Sequence, residues 1–290
     1  MERLKATPAY VISGVEERWQ HARHTLASLH LAAERVVPPK PTVRMAKEMF
    51  ASYDYDKQIN LTEPLQQKYF SLLSGFESAL HRLAHHPDLG PDDFAVVVED
   101  DVSLDNRMSI ADARAAILHG FDLARSDGWL YLGMCSAWCD EASMQVYRHV
   151  AYSRCAGVGS HALAFTKRRA ATFLADVHAS VKHRLATDPK YIANNAHSFD
   201  RMLIAHTQKE GLAWLAPSSF AGLHSDFDDP KNGGCGGVFF QDRARFRSTI
   251  DTRRWRAQSG WGSRLLLRVL CCAARACHTS VSYECVAWAE

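Results

Sequence analysis

No stretch of 18 or more apolar residues occurs in this chain of 290 residues, so no transmembrane helix is expected. The opening residues also lack the apolar run of a secretory leader, and the expectation is a cytoplasmic protein. Eight cysteines, at 135, 139, 155, 235, 271, 272, 277 and 285, form no paired Cys-x-x-Cys array. A structural zinc site is therefore not expected, and reduced thiols are. Asn60-Leu61-Thr62 fits a glycosylation sequon, but without a leader it reads as a chance match. No G-x-x-x-x-G-K-[ST] loop is present, and no G-x-G-x-x-G follows a strand, which removes the common nucleotide signatures. A G-x-S-x-G elbow is missing too, which argues against an α/β-hydrolase. Excess charge of one sign is scarce: 34 basic residues face 32 acidic ones, for a net +2.

What the chain does have is apolar residues enough for a sizeable core, 47% of the total. Its most telling stretch is Phe94-Ala-Val-Val-Val-Glu-Asp-Asp-Val102. A run of β-branched residues without alternation predicts a strand buried on both faces. Three carboxylates, Glu99, Asp100 and Asp101, stand at its C-terminal end, where open α/β sheets bind ligands. Adjacent acids repel one another unless a cation neutralises them, and a hard divalent ion with oxygen ligands does so. A metal site for a phosphorylated substrate is one reading; a solvated acidic turn is the other.

The surrounding pattern is β–α–β. Tyr10 to Ile12 predicts a strand ending at Ser13-Gly14, and Trp19, Ala22, Leu26 and Leu29 mark a helix. Val36 to Thr42, with three prolines, predicts a loop. Thr62 predicts an N-cap, with Pro64 in the first turn of a helix whose apolar face carries Tyr69, Leu72, Leu73, Phe76, Leu80 and Leu83. A further helix is marked by Ile110, Ala113, Ile117 and Phe121. Trp129 to Gly133 and Gly157 to Thr166 predict strands, Lys167 to Val177 a helix, and Ser198 predicts the cap of another that runs through Met202, Leu203 and His206. This order predicts a mostly parallel sheet flanked by helices. An acidic metal site on such a sheet suits a nucleotide-sugar transferase of the GT-A type, a Rossmann-like α/β fold.

Several blocks, in order over about residues 9–226, resemble glycosyltransferase family 25, which includes lipooligosaccharide and collagen β-galactosyltransferases. Tyr10-Val-Ile-Ser-Gly-Val-Glu-Glu-Arg18 is similar to the family's Tyr-Val-Ile-Asn-Leu opening and its downstream arginine. Ser71-Leu-Leu-Ser74 resembles its Leu-Ser-His-Leu block, and Val98-Glu-Asp-Asp-Val102 its Leu-Glu-Asp-Asp-Val metal motif. Leu130-Tyr-Leu-Gly133, Gly159-Ser-His-Ala162, Phe199-Asp-Arg201 and Leu215-Ala-Pro217 resemble four later blocks. Ser13 stands where the family has Asn, and Gly75 where it has the His of Leu-Ser-His.

The resemblance implies Asp101 as a metal ligand, with Glu99 and Asp100 contacting metal or ribose. It implies Asp200 as general base or acceptor binder; the bland reading is an acid that favours the positive end of its helix. Arg18 either pairs with a diphosphate or lies on a solvated helix face. His161 reads as a satisfied core histidine or as a donor contact. His224 precedes an acidic, glycine-rich loop and either completes the metal site or lies on the surface. The implied cofactor is Mn²⁺ (or Mg²⁺), with a UDP-sugar as donor and a glycan or hydroxylated acceptor. The implied activity is metal-dependent, inverting hexosyl transfer, with galactose as the expected sugar and lipopolysaccharide biosynthesis as one setting. Ser13 and Gly75 motivate an alternative, a catalytically lapsed sugar-nucleotide or glycan-binding protein. A metal-dependent phosphohydrolase is a third reading.

Residues 1–240 read as one domain and 241–290 as a basic tail. The tail holds nine Arg and four acids, a net +5, which leaves −3 for residues 1–240. Aromatic residues and Leu265 to Leu267 are interleaved with the arginines. Such a segment either docks on its own domain or lies peripherally on an anionic membrane face. No recognition motif accompanies the arginines, so nucleic acid is a weak expectation.

Overall fold

Val96, Val97 and Val98 are fully buried, and consecutive residues face opposite sides of the sheet, as their lack of alternation requires. In the computed structural model the described residues are 7–40, 42, 63–104, 108–134, 136–147, 150–158, 161–176, 199, 203, 213–218, 236–237 and 239–241. The chain divides into two compact units, Met1–Phe246 and Arg247–Glu290, and every described residue belongs to the first. Thr62, Ser198, Asp200, His224 and residues 242–290 of the basic tail lie outside the described residues, whereas Gln241 ends the last described strand. Among those described, no helix is long and apolar enough to cross a membrane.

The elements in chain order are β1 (Pro8–Ile12), α1 (Glu16–Ser28), β2 (Ala32–Val36), α2 (Glu63–Ala84), β3 (Phe94–Glu99), β4 (Val102–Leu104), α3 (Ile110–Leu123), β5 (Trp129–Met134), β6 (Ser136–Tyr147), β7 (Val150–Val158), β8 (Ala162–Thr166), a helix α4 over 167–176, β9 (Ala213–Ser218), β10 (Gly236–Gly237) and β11 (Phe239–Gln241). The main sheet has nine strands in the order β2-β1-β3-β8-β5-β9-β7-β6, with β10 paired to β5. The fold is thus α/β, with a mixed central sheet. The pairs β1–β2, β1–β3 and β5–β9 are parallel. The five others are antiparallel. The expected predominance of parallel strands holds for direction, since six of the nine strands run the same way. It does not hold for hydrogen-bonded neighbours, because β8 and β7 are inserted in the opposite sense.

Two apolar layers sandwich this sheet. One holds Ala9, Val11, Val96 and Val98 against Ala22, Leu26 and Leu29 of α1 and Ala113, Ile117 and Phe121 of α3. The other holds Tyr10, Ile12, Ala95 and Val97 against Leu73, Phe76, Leu80 and Leu83 of α2 and Phe173 of α4. Same-handed crossovers that run in opposite directions from β1 place their helices on opposite faces, and α1 and α2 lie so.

Three local features depart from the expectations. First, a strand that the sequence pattern leaves unmarked, β2, fills most of the stretch between α1 and the proline-rich loop. His30 takes a left-handed φ of 62°, His30 N–H donates to Ala27 O and Leu31 N–H to Leu26 O. That is a Schellman closure, and it turns the chain directly into β2. Second, Gly157 does not begin a strand. It is the penultimate residue of β7 in the long β6–β7 hairpin, and β8 starts afresh at Ala162. Third, Cys155 is disulfide-bonded rather than reduced, and its register partner across the hairpin is Cys139.

Gly75 fixes how closely α2 approaches β1. A Cβ at this position would lie 2.5 Å from Ile12 Cγ2 and 3.3 Å from Pro38 Cβ. Ile12 is β-branched and fully packed, so its methyl has nowhere to swing. We therefore expect Gly75→Ala to lose about 1–3 kcal/mol of stability through overpacking, despite alanine's better helix propensity. In an Ile12→Ala background the same change should cost far less. Chemical denaturation of the four members of this cycle checks it.

Candidate functional site

The winding of the chain reverses at β1. The β1–α1–β2 crossover carries it to one side, and the crossover through α2 returns it to β3 on the other. Such a reversal leaves a crevice outside the carboxyl ends of the two strands. Ile12, the last residue of β1, is the register partner of Glu99, the last residue of β3. Ser13 and the Glu99-Asp100-Asp101 turn therefore emerge side by side at the mouth of that crevice.

Neighbouring strands bring more groups to the same edge. β8 runs against β3 and starts beside its end, so Glu99 N–H donates to His161 O at 2.9 Å, and His161 itself is buried. β5 runs the same way as β3, and its final residues Gly133 and Met134 pair with β10. β11 pairs with β4, directly after the acids. The chain thus returns to the acidic edge twelve residues after His224.

The turn before α1 is fixed from several sides. Ser13 N–H donates to Val36 O at 3.0 Å, and Arg35 Nε donates to Ser13 O at 3.1 Å while its guanidinium pairs with Glu16. The single Ser13 hydroxyl proton serves either Val15 O, 2.9 Å away, or the adjacent Asp100. Arg18, in the first turn of α1, reaches Asp100 Oδ1 at 3.5 Å. His21 Nε2 and Ser103 Oγ, 2.8 Å apart, hold α1 against β4 just beyond the acids.

Electrostatics here are dominated by desolvation. The Asp100 side chain is 14% exposed, and burial raises its carboxyl above the ordinary range. Ser13 and Arg18 oppose that shift, and the Asp101 charge adds to it. One carboxylate oxygen of Asp101, Oδ1, is buried as well. Carboxylates kept at the cost of dehydration are the environment a hard cation relieves. The N-terminus of α1 adds no ready anion site, because Glu16 and Glu17 already occupy its first turn and Val15 supplies no side-chain cap. Arg18 or a metal could supply countercharge to a bound diphosphate.

The structure therefore gathers Arg18, Glu99, Asp100, Asp101 and His161 at one sheet edge. Among the described residues no three His, Cys, Asp or Glu side chains form a group that could hold a metal ion. Glu99 and Asp101 would need His224 or substrate oxygens to complete a coordination sphere. For Asp200 only its neighbour is described. Phe199 stacks on Phe76, centroids 3.9 Å apart, within the layer that holds Ile12. Arg35, His21 and Ser103 were invisible to sequence reasoning, since only the register of β2 and β4 makes them neighbours of the turn. Ser13 stood out solely as a departure from a family pattern.

No family model matches the chain. No curated protein matches it either.

Asp100 supports a prediction about stability. A carboxyl whose folded pKa is raised binds more protons folded than unfolded, so its contribution falls as pH rises from the unfolded pKa, about 3.9, through the folded one. Without divalent ions, Asp100→Asn should therefore raise the melting temperature at pH 7. That gain should vanish near pH 3, where the parent carboxyl is protonated in both states. Thermal melts across pH 3–8 in a chelating buffer test this.

Proposed function

We propose that the chain is a metal-dependent glycosyltransferase of the GT-A type, related to glycosyltransferase family 25, that moves a hexose from a UDP-sugar to a hydroxyl acceptor. The observation that carries this reading is the desolvated acidic turn at the β1/β3 reversal, beside Arg18. The donor set is of hard oxygens and has excess negative charge, which fits Mn²⁺ or Mg²⁺. Asp101 and Glu99 would hold the ion, with His224 as a further ligand. When bound, it would supply countercharge to the diphosphate as the donor's anomeric C–O bond breaks.

The remaining steps belong to the chain. Arg18 stands where it can exchange its Asp100 partner for a phosphate oxygen. Asp100, beside Ser13 and Arg18, is our candidate to accept a hydrogen bond from a ribose hydroxyl. In an inverting displacement the acceptor oxygen bonds to the anomeric carbon from the face opposite the leaving diphosphate. Its proton then passes to a carboxylate base, for which Asp200 is our candidate. Galactose as the sugar, and a glycan as the acceptor, rest on the family resemblance.

One observation favours a second reading, a sugar-nucleotide-binding protein without turnover. Gly75, where the family has histidine, packs against Ile12, the register partner of Glu99. The imidazole that the family has at this position is missing, and the crowding there leaves it no room.

Two variants separate the readings. Asp101→Asn should abolish Mn²⁺-dependent binding of UDP-galactose, measured by calorimetry, with the melting transition kept. Asp200→Asn should leave donor affinity unchanged and lower transfer by roughly 10²-fold or more. Metal-dependent binding retained in the first variant would remove the metal assignment. Tight donor binding by the parent without transfer or hydrolysis would select the non-catalytic reading.

A further inference from the structure

The C-terminal end of α2 and the residue that follows it carry a feature that the proposed activity does not use. His81 and His85 are four residues apart, both exposed, with ring centroids separated by 5.9 Å and planes inclined by 17°. Side chains four apart lie one above the other on a helix face. His85 Nδ1 lies 2.8 Å from His81 O. A carbonyl only accepts, so Nδ1 must carry the proton, and the neutral ring keeps its bare lone pair on Nε2. A backbone carbonyl holding one ring nitrogen while the other is left for a metal is the usual arrangement around a ligating histidine.

We propose that His81 and His85 form a binding site for a borderline divalent transition-metal ion, Cu²⁺, Ni²⁺ or Zn²⁺, separate from the acidic edge. Two imidazoles on one ion, with metal–nitrogen distances of about 2.1 Å and a near-tetrahedral angle, put their centroids roughly 5 Å apart. The observed centroid separation is about 1 Å from that, and the near-parallel rings would turn to aim both Nε2 atoms at the ion. Imidazole nitrogen selects these ions over Mn²⁺ and Mg²⁺, which favour oxygen. No third His, Cys, Asp or Glu joins the pair among the described residues, so water would fill the remaining positions. The negative end of the α2 dipole favours a cation here. Just beyond the helix end, Lys167 Nζ donates to the loop carbonyls His86 O at 2.6 Å and Leu89 O at 3.1 Å.

Distance keeps the two sites apart. Gly75 lies over the end of β1, at the acidic edge, and His85 follows ten residues later, about 15 Å along at 1.5 Å per residue. The ion would clip the final turn of α2, where the helix gives way to the connection into β3.

Substoichiometric Cu²⁺ added to the isotope-labelled full chain should broaden backbone amide resonances around residues 78–88 before others. In His81→Asn and in His85→Asn that broadening should need about tenfold more Cu²⁺ or greater, and the double variant should behave as the singles do. Both positions are exposed, and an unchanged amide spectrum before metal addition reports that each variant folds as the parent does. Broadening that begins elsewhere, or that persists around residues 78–88 in both single variants, overturns the site.

Discussion

A strand buried on both faces must give up its apolar character where it leaves the sheet, and β3 does so through three consecutive carboxylates. The site follows from that constraint. Packing of Val96, Val97 and Val98 between two helical layers leaves β3 no freedom to slide, because a one-residue slip would exchange its faces. Register with β1 then sets Glu99 beside Ile12, and the reversal of winding puts the acids in the crevice. Burial of Asp100 is a consequence of rigid packing on either side, and Arg18 and Ser13 compensate it only in part. The parts of the chain that touch no ligand thereby hold dehydrated charge in place.

Reading the sequence located those parts that obey a single period. Helices α1, α2 and α3 showed their apolar faces at three- and four-residue spacing, and Leu73, Phe76, Leu80 and Leu83 are buried as that spacing requires. The doubly buried β3 was legible because β-branched residues follow one another without interruption. Strand direction was not. Ala162 to Thr166 is buried at every position, and that pattern is the same whether the strand runs with its neighbours or against them. Edge strand β2, Ala-Ala-Glu-Arg-Val, carries charge and a single fully buried residue, so nothing in it outweighed the prolines that follow.

Legibility of the candidate site divides along the same line. The acids were visible because they are contiguous, and Arg18 because a family pattern pointed to it. Arg35 and Ser103 gain meaning only from pairings between segments far apart in the chain. The disulfide at Cys155 is a similar case. Eight cysteines admit too many pairings for spacing to select one, whereas the β6–β7 register sets Cys155 opposite Cys139. Gly75 shows the reverse. A departure from a family motif, read from sequence as a lost histidine, is in the structure a contact between α2 and β1 too close for any side chain.

Anomalous scattering tests the central claim most directly. Crystals grown with UDP and Mn²⁺ and measured near the manganese edge should show one strong peak beside Asp101 and Glu99, with diphosphate density against it. Nucleotide density remote from the β1/β3 crevice, or a manganese peak without contact to either carboxylate, would contradict the account.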